Sequence, residues 1–171
     1  HCITWECCII MVLKQFEEYI QEKVAYRITK NNERAKSLAL ESARKLRAVS
    51  ERLEKIGIKN ENANDYIESC YDIIMHLIRA KLYIDGYVTK GQGAHEAEVA
   101  YLRILAFAEE DVRFADQMRF FRNRILYYGE TLDHEYAEKV VAFIKKIYPR
   151  LQEIVTKATT SKKPEKNTAT T

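Results

Sequence analysis

The densest group of residues suited to chemistry in this 171-residue chain lies between positions 113 and 128. Four arginines fall within twelve residues and alternate with phenylalanines and tyrosines: Arg113, Arg119, Arg122 and Arg124. Arginine offers a planar fork to phosphate, and aromatic rings offer stacking surfaces to unpaired bases. Arg119, Asn123 and Tyr127, each four residues apart, line one stripe of a helix. This segment is therefore a candidate binding site for RNA or a nucleotide.

A second polar group interrupts an otherwise apolar segment near the middle of the chain. Its members share one helical stripe: Glu68, Asp72, His76, Arg79 and Tyr83. Asp72 and His76 are four residues apart, so the carboxylate is placed to hydrogen-bond the imidazole and raise its basicity. Asp72, His76 and Arg79 are the secondary site candidates.

An ordinary structural explanation competes with each functional one. The arginines are equally suited to pair with Asp111, Asp116 or a neighbouring helix. The apolar residues between them would then form core: Met118, Phe121, Ile125 and Tyr128. The polar stripe would then be a solvent-exposed strip or an internal network of ion pairs. The sequence leaves both explanations open.

Other features do not indicate a catalytic or metal site. His95 and His134 lie beside acidic residues at predicted helix starts, and we assign them no catalytic role. No His-x-x-x-His or Glu-x-x-His spacing occurs, so we expect no metal and no cofactor. The glycines of Thr89–Gly93 do not form a phosphate loop, because that loop follows a strand and we predict none there.

Composition and charge exclude several classes of protein. Only 5 Gly and 2 Pro are present, too few for a β-sandwich or barrel with many turns. No apolar run approaches the roughly 18 residues of a membrane span. The net charge is +3, and the four lysines and one glutamate of the last fifteen residues account for all of it. Any nucleic-acid contact must therefore come from a local patch.

Apolar residues recur every three to four positions and predict an all-α, antiparallel up-and-down bundle of five to six helices. The predicted helices cover about 13–28, 33–56, 65–85, 94–107, 110–128 and 133–155, with no strands. Asn31 or Asn32 is the expected N-cap of the second helix. The third should be central and most buried, with Cys70 an inert core thiol. Pro149 should kink the last helix without breaking it.

The chain divides into three parts. Residues 1–11 form an N-terminal extension that contains Cys2, Cys7 and Cys8, and we expect Met11 to be the natural start, with residues 1–10 preceding it. The cysteine spacing matches no zinc pattern, and the segment lacks the features of a signal peptide. Residues 12–156 form the bundle. Residues 157–171 form a Thr/Lys-rich tail that we expect to be disordered.

The helix order and two segments resemble the HEPN domains, which are small all-helical proteins of prokaryotes and some eukaryotes. These segments read YDIIMHLIRAKLYIDGY from Tyr71 and RFFRNRILYYG from Arg119. Many HEPN proteins are metal-independent ribonucleases, often toxins paired with a minimal nucleotidyltransferase. Their motif is an arginine, commonly followed by a polar residue such as asparagine, with a histidine four to six positions on. Arg122 and Asn123 match this motif, whereas Tyr127 occupies the usual histidine position.

The missing histidine changes the expected chemistry. An imidazole titrates near neutrality and can deprotonate a ribose 2′-hydroxyl, whereas a tyrosine hydroxyl is a poor base there. The resemblance thus implies an RNA- or nucleotide-facing groove more strongly than it implies cleavage. It also implies a homodimer, since the motif helices of two HEPN subunits face each other.

The sequence therefore predicts a cytoplasmic HEPN-like homodimer that binds RNA or a nucleotide, or serves a nucleotidyltransferase partner, with little or no nuclease activity. Arg119, Arg122 and Arg124 would hold phosphates, and Tyr128 would stack. The alternative is a divergent endoribonuclease acting through Arg122, Asn123 and Tyr127, or with His76 in place of the missing histidine. A third possibility is a structural bundle whose Arg122 region binds nothing small.

Overall fold

The structure, a computed structural model, describes residues 12–160. The predictions for residues 1–11, including the three cysteines, and for residues 161–171 lie outside this range. Within it the chain forms six α-helices, a short 3₁₀ helix and a two-stranded sheet. In chain order these are α1 (Phe16–Gln21), β1 (Ala25–Arg27), α2 (Asn32–Lys55), the 3₁₀ helix (Asn60–Asn62), α3 (Ala63–Asp85), β2 (Tyr87–Thr89), α4 (Ala94–Ile104), α5 (Glu109–Tyr128) and α6 (His134–Thr160).

The all-α class is confirmed, and α3 is its central helix. Of its 23 residues, 13 are buried, and it packs against α2, α4, α5 and α6. This follows from a sequence that is apolar around most of the helix surface. Cys70 is fully buried, and burial raises the pKa of its thiol to about 12, as expected of an inert core residue.

The predicted start of α2 and the predicted end of α3 are confirmed, because a capping residue determines each. The Asn31 side chain accepts a hydrogen bond of 2.9 Å from the Arg34 amide and caps α2. Gly86 ends α3 in the left-handed conformation with φ of 85°. A Cβ atom there would lie 2.9 Å from the Ile28 carbonyl oxygen, so glycine also allows the N-terminal segment to approach closely.

The prediction of a first helix over residues 13–28 is wrong beyond Gln21, where α1 ends. The chain leaves α1 through Lys23, whose φ is 58°, and then forms β1. β1 pairs antiparallel with β2, with Tyr26 opposite Val88. The residues of β2 are aromatic or β-branched types that favour strands, but in β1 only Tyr26 is, and the two strands lie some 60 residues apart in the chain. Local periodicity therefore could not reveal the sheet.

The sheet also corrects the prediction that no strand precedes the Thr89–Gly93 loop, because β2 runs directly into it. The loop still lacks the Gly-Lys-Ser/Thr of a phosphate loop. At the other end of the chain, α6 continues through Pro149, as predicted, and extends to Thr160. Residues 157–160, assigned from sequence to the tail, are thus helical.

Candidate functional site

The last turns of α5 expose an unusual amount of aromatic surface. Tyr127 and Tyr128 are 75% and 78% exposed, and Phe120 and Leu126 are 38% and 46% exposed. The guanidinium carbon of Arg124 lies 5.7 Å from the Phe120 ring centre and 5.8 Å from that of Tyr128. We call Phe120, Arg124, Leu126, Tyr127 and Tyr128 the aromatic end of α5. Tyr128 belongs to this surface and not to the core.

Two local features position the aromatic end. On the opposite side of the helix Met118, Phe121 and Ile125 are buried, so helical periodicity turns residues 120, 124 and 127 outward. α5 then stops at Gly129 in the left-handed conformation. The Asn64 amide of α3 donates to the Glu130 carbonyl at 2.9 Å and fixes the following loop. The exposed rings therefore lie on a well-anchored helix end.

Arg122 points from α5 towards α3 and not into open solvent. Its guanidinium carbon lies 5.6 Å from the centre of the Tyr71 ring. Its Nε is buried and has no hydrogen-bond partner among residues 12–160. Its positive charge acts on Glu68, whose pKa burial raises and Arg122 partly lowers. A buried, unpaired guanidinium N–H is costly, so the internal structure does not fully satisfy Arg122.

Tyr71 connects Arg122 to a histidine on α4. The Tyr71 hydroxyl lies 3.2 Å from His95 Nδ1, and burial raises the pKa of Tyr71 well above its usual value. Burial is the main cause that lowers the pKa of His95, and the nearby charges of Arg79 and Arg122 add to the lowering. At neutral pH His95 is therefore a neutral imidazole beside a protonated tyrosine.

A buried ion pair holds His95 from its other side. Glu98 of α4 is 5% exposed, and both its oxygens accept hydrogen bonds of 2.9 Å from Arg79 of α3. Thr89 of β2 donates a third, at 2.8 Å. Arg79 Nη2 also lies 3.4 Å from His95 Nε2. Because arginine can only donate, this contact favours the tautomer with the proton on Nδ1.

The remaining predicted residues of α5 have different surroundings. Arg119 has a side chain 11% exposed and binds Asp116 at 2.7 Å and Glu96 of α4 at 2.9 Å. Its guanidinium is thus engaged by two carboxylates, as the structural explanation anticipated. Asn123 is half-buried and makes no side-chain hydrogen bond within residues 12–160. It lies one position from Arg122 and is close to solvent.

The secondary candidates on α3 do not act together. Lys45 of α2 pairs with Asp72 at 3.2 Å, and His76 Nδ1 lies 2.5 Å from the Asp72 backbone carbonyl. The predicted hydrogen bond between the two side chains is therefore wrong, since the imidazole bonds the backbone instead. His76 also acts electrostatically on Glu41 of α2, whereas Arg79 faces α4.

The structure thus joins a histidine to Arg122 through Tyr71, but that histidine is His95 and not His76. Sequence reasoning missed it because His95 precedes Arg122 by 27 positions and occupies the first turn of a separate helix. The only local signal was its place after the Gly91–Gly93 loop. Only the packing of α4 against α3 and α5 brings it to the site.

No cluster of three or more His, Cys, Asp or Glu side chains among residues 12–160 is arranged to hold a metal ion. No helix in the same range has both the length and the apolar character needed to cross a membrane.

Comparison with known proteins gives no relative: no family model matches the chain, and neither a curated protein nor a solved structure is significantly similar to it.

Proposed function

We propose that this protein binds single-stranded RNA through the aromatic end of α5, as a HEPN-like dimer with a degenerate ribonuclease motif. The observation that carries the proposal is the exposure of Tyr127 and Tyr128 beside Arg124 on the outward side of one helix end. Exposed rings that are not needed for the core supply stacking surfaces for unpaired bases, whatever their sequence.

Charge supports a phosphate-binding role for two arginines in this region. Arg122 has a buried Nε without a partner among the described residues, and its guanidinium extends over Tyr71. Arg124 lies on the exposed face between two aromatic rings, where its Nε also pairs with the Glu130 carboxylate. Arg124 lies beside the rings on which an RNA strand would stack, whereas Arg122 lies on the side of α5 that faces α3, so the strand would have to cross the helix end to reach it. Arg119 is less suited to this role, because its side chain is 11% exposed and two carboxylates engage it.

The test is a fluorescence-anisotropy titration with labelled oligouridine at two salt concentrations. We expect salt-sensitive binding that weakens strongly in Arg122→Ala, because a lost phosphate contact lowers both affinity and its salt dependence. Arg47→Ala is the matched control, since Arg47 is an exposed arginine on α2, away from α5. Equal loss in both variants, or no binding at low salt, contradicts the proposal and favours a protein partner such as a nucleotidyltransferase.

The dimer is tested separately by sedimentation equilibrium. The resemblance implies that two α5 helices face each other, and exposed Leu126 would supply apolar contact. We expect a dimer that Leu126→Glu dissociates. A monomer at all concentrations contradicts this part of the proposal.

A second candidate, metal-independent RNA cleavage, is favoured by the link from Arg122 through Tyr71 to His95. A neutral imidazole can accept the proton of a ribose 2′-hydroxyl, here at Nε2, once the 3.4 Å contact from Arg79 to that nitrogen is released. The 2′-oxygen then bonds to the adjacent phosphorus, the bond to the 5′-oxygen breaks, and water protonates the leaving oxygen. Incubation with EDTA, followed by gel analysis, tests it: cuts that disappear in His95→Ala while RNA binding persists support the enzyme, and uncut RNA contradicts it.

A further inference from the structure

A cavity of about 410 Å³ lies between α3, β2 and α4, and His95 is part of its wall. Its lining also includes Arg79, Tyr83, Tyr87, Lys90 and Glu98. This volume is within the range of sites that hold small molecules. None of these residues belongs to the aromatic end of α5, so the cavity is not part of the RNA surface proposed above.

The cavity wall is held in a fixed geometry. Glu98 receives two hydrogen bonds from Arg79 and one from Thr89, which ties α3, α4 and β2 together around the cavity. Lys90 follows β2 directly, and its backbone amide donates to the Val24 carbonyl at 2.9 Å. A site with its wall already in place loses little free energy to ordering when a ligand binds.

The polar lining favours an anion. Arg79 uses Nε and Nη2 for Glu98 and His95, whereas its Nη1 has no hydrogen-bond partner in the described part of the chain. The Lys90 side chain is exposed and forms no ion pair within residues 12–160. Glu98 also lines the cavity, but Arg79 pairs with it, so Lys90 leaves the lining with a net positive charge. Guanidinium and ammonium donors together suit a phosphate group.

The apolar lining favours a flat group next to that anion. Tyr83 and Tyr87 both line the cavity, together with Leu82 and Val88. The Tyr87 ring is held in place, because Phe16 packs edge-on against it at 5.4 Å and Arg27 lies 5.1 Å from its centre. Aromatic side chains at a concave site bind planar rings well.

We propose that this cavity binds a nucleoside monophosphate unit, with the phosphate at Lys90 and Arg79 Nη1 and the base against Tyr83 and Tyr87. Two sources supply this chemistry: a free nucleotide or the phosphorylated end of an RNA. The cavity and the Arg122 region are linked, since His95 lines the cavity and bonds the hydroxyl of the ring over which Arg122 lies.

The test is isothermal titration of the full chain with AMP, with adenosine and inorganic phosphate as comparison ligands. AMP should bind more tightly than either, because each comparison ligand makes only half of the contacts. Lys90→Glu should weaken the affinity for AMP about tenfold or more. Lys55 is an exposed lysine at the end of α2, so Lys55→Glu should leave that affinity unchanged. Equal effects of the two variants, or phosphate binding as tightly as AMP, would overturn the proposal.

Two further experiments distinguish a free nucleotide from an RNA end as the ligand, and the cavity from the RNA surface on α5. If the cavity takes an RNA end, a 5′-phosphorylated oligonucleotide should bind more tightly than its 5′-hydroxyl form, and Lys90→Glu should remove the difference. If it takes a free nucleotide, the two oligonucleotides should bind alike while AMP still binds. The double variant Tyr127→Ala/Tyr128→Ala should leave AMP binding intact, so failure of the RNA surface and failure of the cavity are distinguishable.

Discussion

The two halves of α5 differ in how far the rest of the fold engages their charged and aromatic side chains. In the first half, taken as residues 109–119, two charged side chains have internal partners: Lys146 of α6 binds Asp111 at 2.6 Å, and Arg119 binds Asp116 and Glu96. In the second half, residues 120–128, Arg124 pairs with Glu130, but Arg122 has a buried Nε without a partner in the described range. Tyr127 and Tyr128, beyond it, are largely exposed.

This difference does not arise from the buried side of the helix, which is continuous. Met118, Phe121 and Ile125 carry one apolar stripe from the first half into the second. Only the other side changes, from charges paired with residues of α4 and α6 to the exposed rings of Tyr127 and Tyr128 beside Arg124. The first half therefore contributes mainly to stability, and the second half presents groups that the fold does not need.

The largest expected effect is on stability, and it comes from the buried apolar stripe that both halves of α5 share. Met118 is fully buried, so Met118→Ala removes packed volume and should lower the free energy of unfolding by about 2–5 kcal/mol. Urea denaturation measures this loss. The folded Met118→Ala variant should bind RNA with the affinity of the wild type. If it instead loses RNA affinity without losing stability, Met118 belongs to the binding surface and not to the core.

The next effect should be confined to the second half. Tyr127→Ala/Tyr128→Ala should change the unfolding free energy by less than about 0.5 kcal/mol, because neither ring packs in the core. RNA affinity should fall by about 1–3 kcal/mol for each base that stacks. Anisotropy and urea denaturation on the same samples measure both quantities. Marked destabilisation with unchanged affinity would make these tyrosines structural.

A smaller effect should distinguish Arg119 from Arg122. Arg119→Ala leaves the carboxylates of Asp116 and Glu96 without their shared cation, and should cost about 1–3 kcal/mol of stability. Its effect on RNA affinity should be small, in contrast to Arg122→Ala. If Arg119→Ala lowers RNA affinity as much as Arg122→Ala does, the first half of α5 also takes part in RNA binding.

The smallest effect concerns His95, which lies between the two proposed sites. Burial lowers its pKa in the folded protein below the usual value near 6.5. The unfolded chain therefore binds a proton more readily, so His95 favours the folded state above about pH 6.5 and this contribution is lost as the pH falls below it. His95→Gln should flatten the dependence of the unfolding free energy on pH across that region. An unchanged pH dependence would contradict the neutral assignment of His95.

The sequence predicted those parts of the fold that local chemistry determines. Asn31 as a cap, Gly86 as a helix end and α3 as the central helix all follow from residues next to one another in the chain. The β1–β2 sheet was missed because its two strands are far apart in sequence, and each is only three residues long. A pattern of that length is too short to distinguish a strand from a helix turn.

The same limit applies to the candidate site. Spacing along α5 identified Arg122, Asn123, Arg124 and Tyr127 as neighbours on one helix. It could not show that Glu96 engages Arg119, or that His95 rather than His76 is joined to Arg122. Those contacts depend on how α4 packs between α3 and α5, which no single helix pattern encodes.

The most direct test of the central claim is photo-crosslinking of the full chain to a 4-thiouridine oligonucleotide, followed by mass spectrometry of the crosslinked peptides. The aromatic end of α5 predicts crosslinks at Phe120, Tyr127 or Tyr128, lost in the double tyrosine variant. Crosslinks confined to the four lysines of the last fifteen residues, or to α2, would contradict it, because binding would then follow bulk charge and not the aromatic surface.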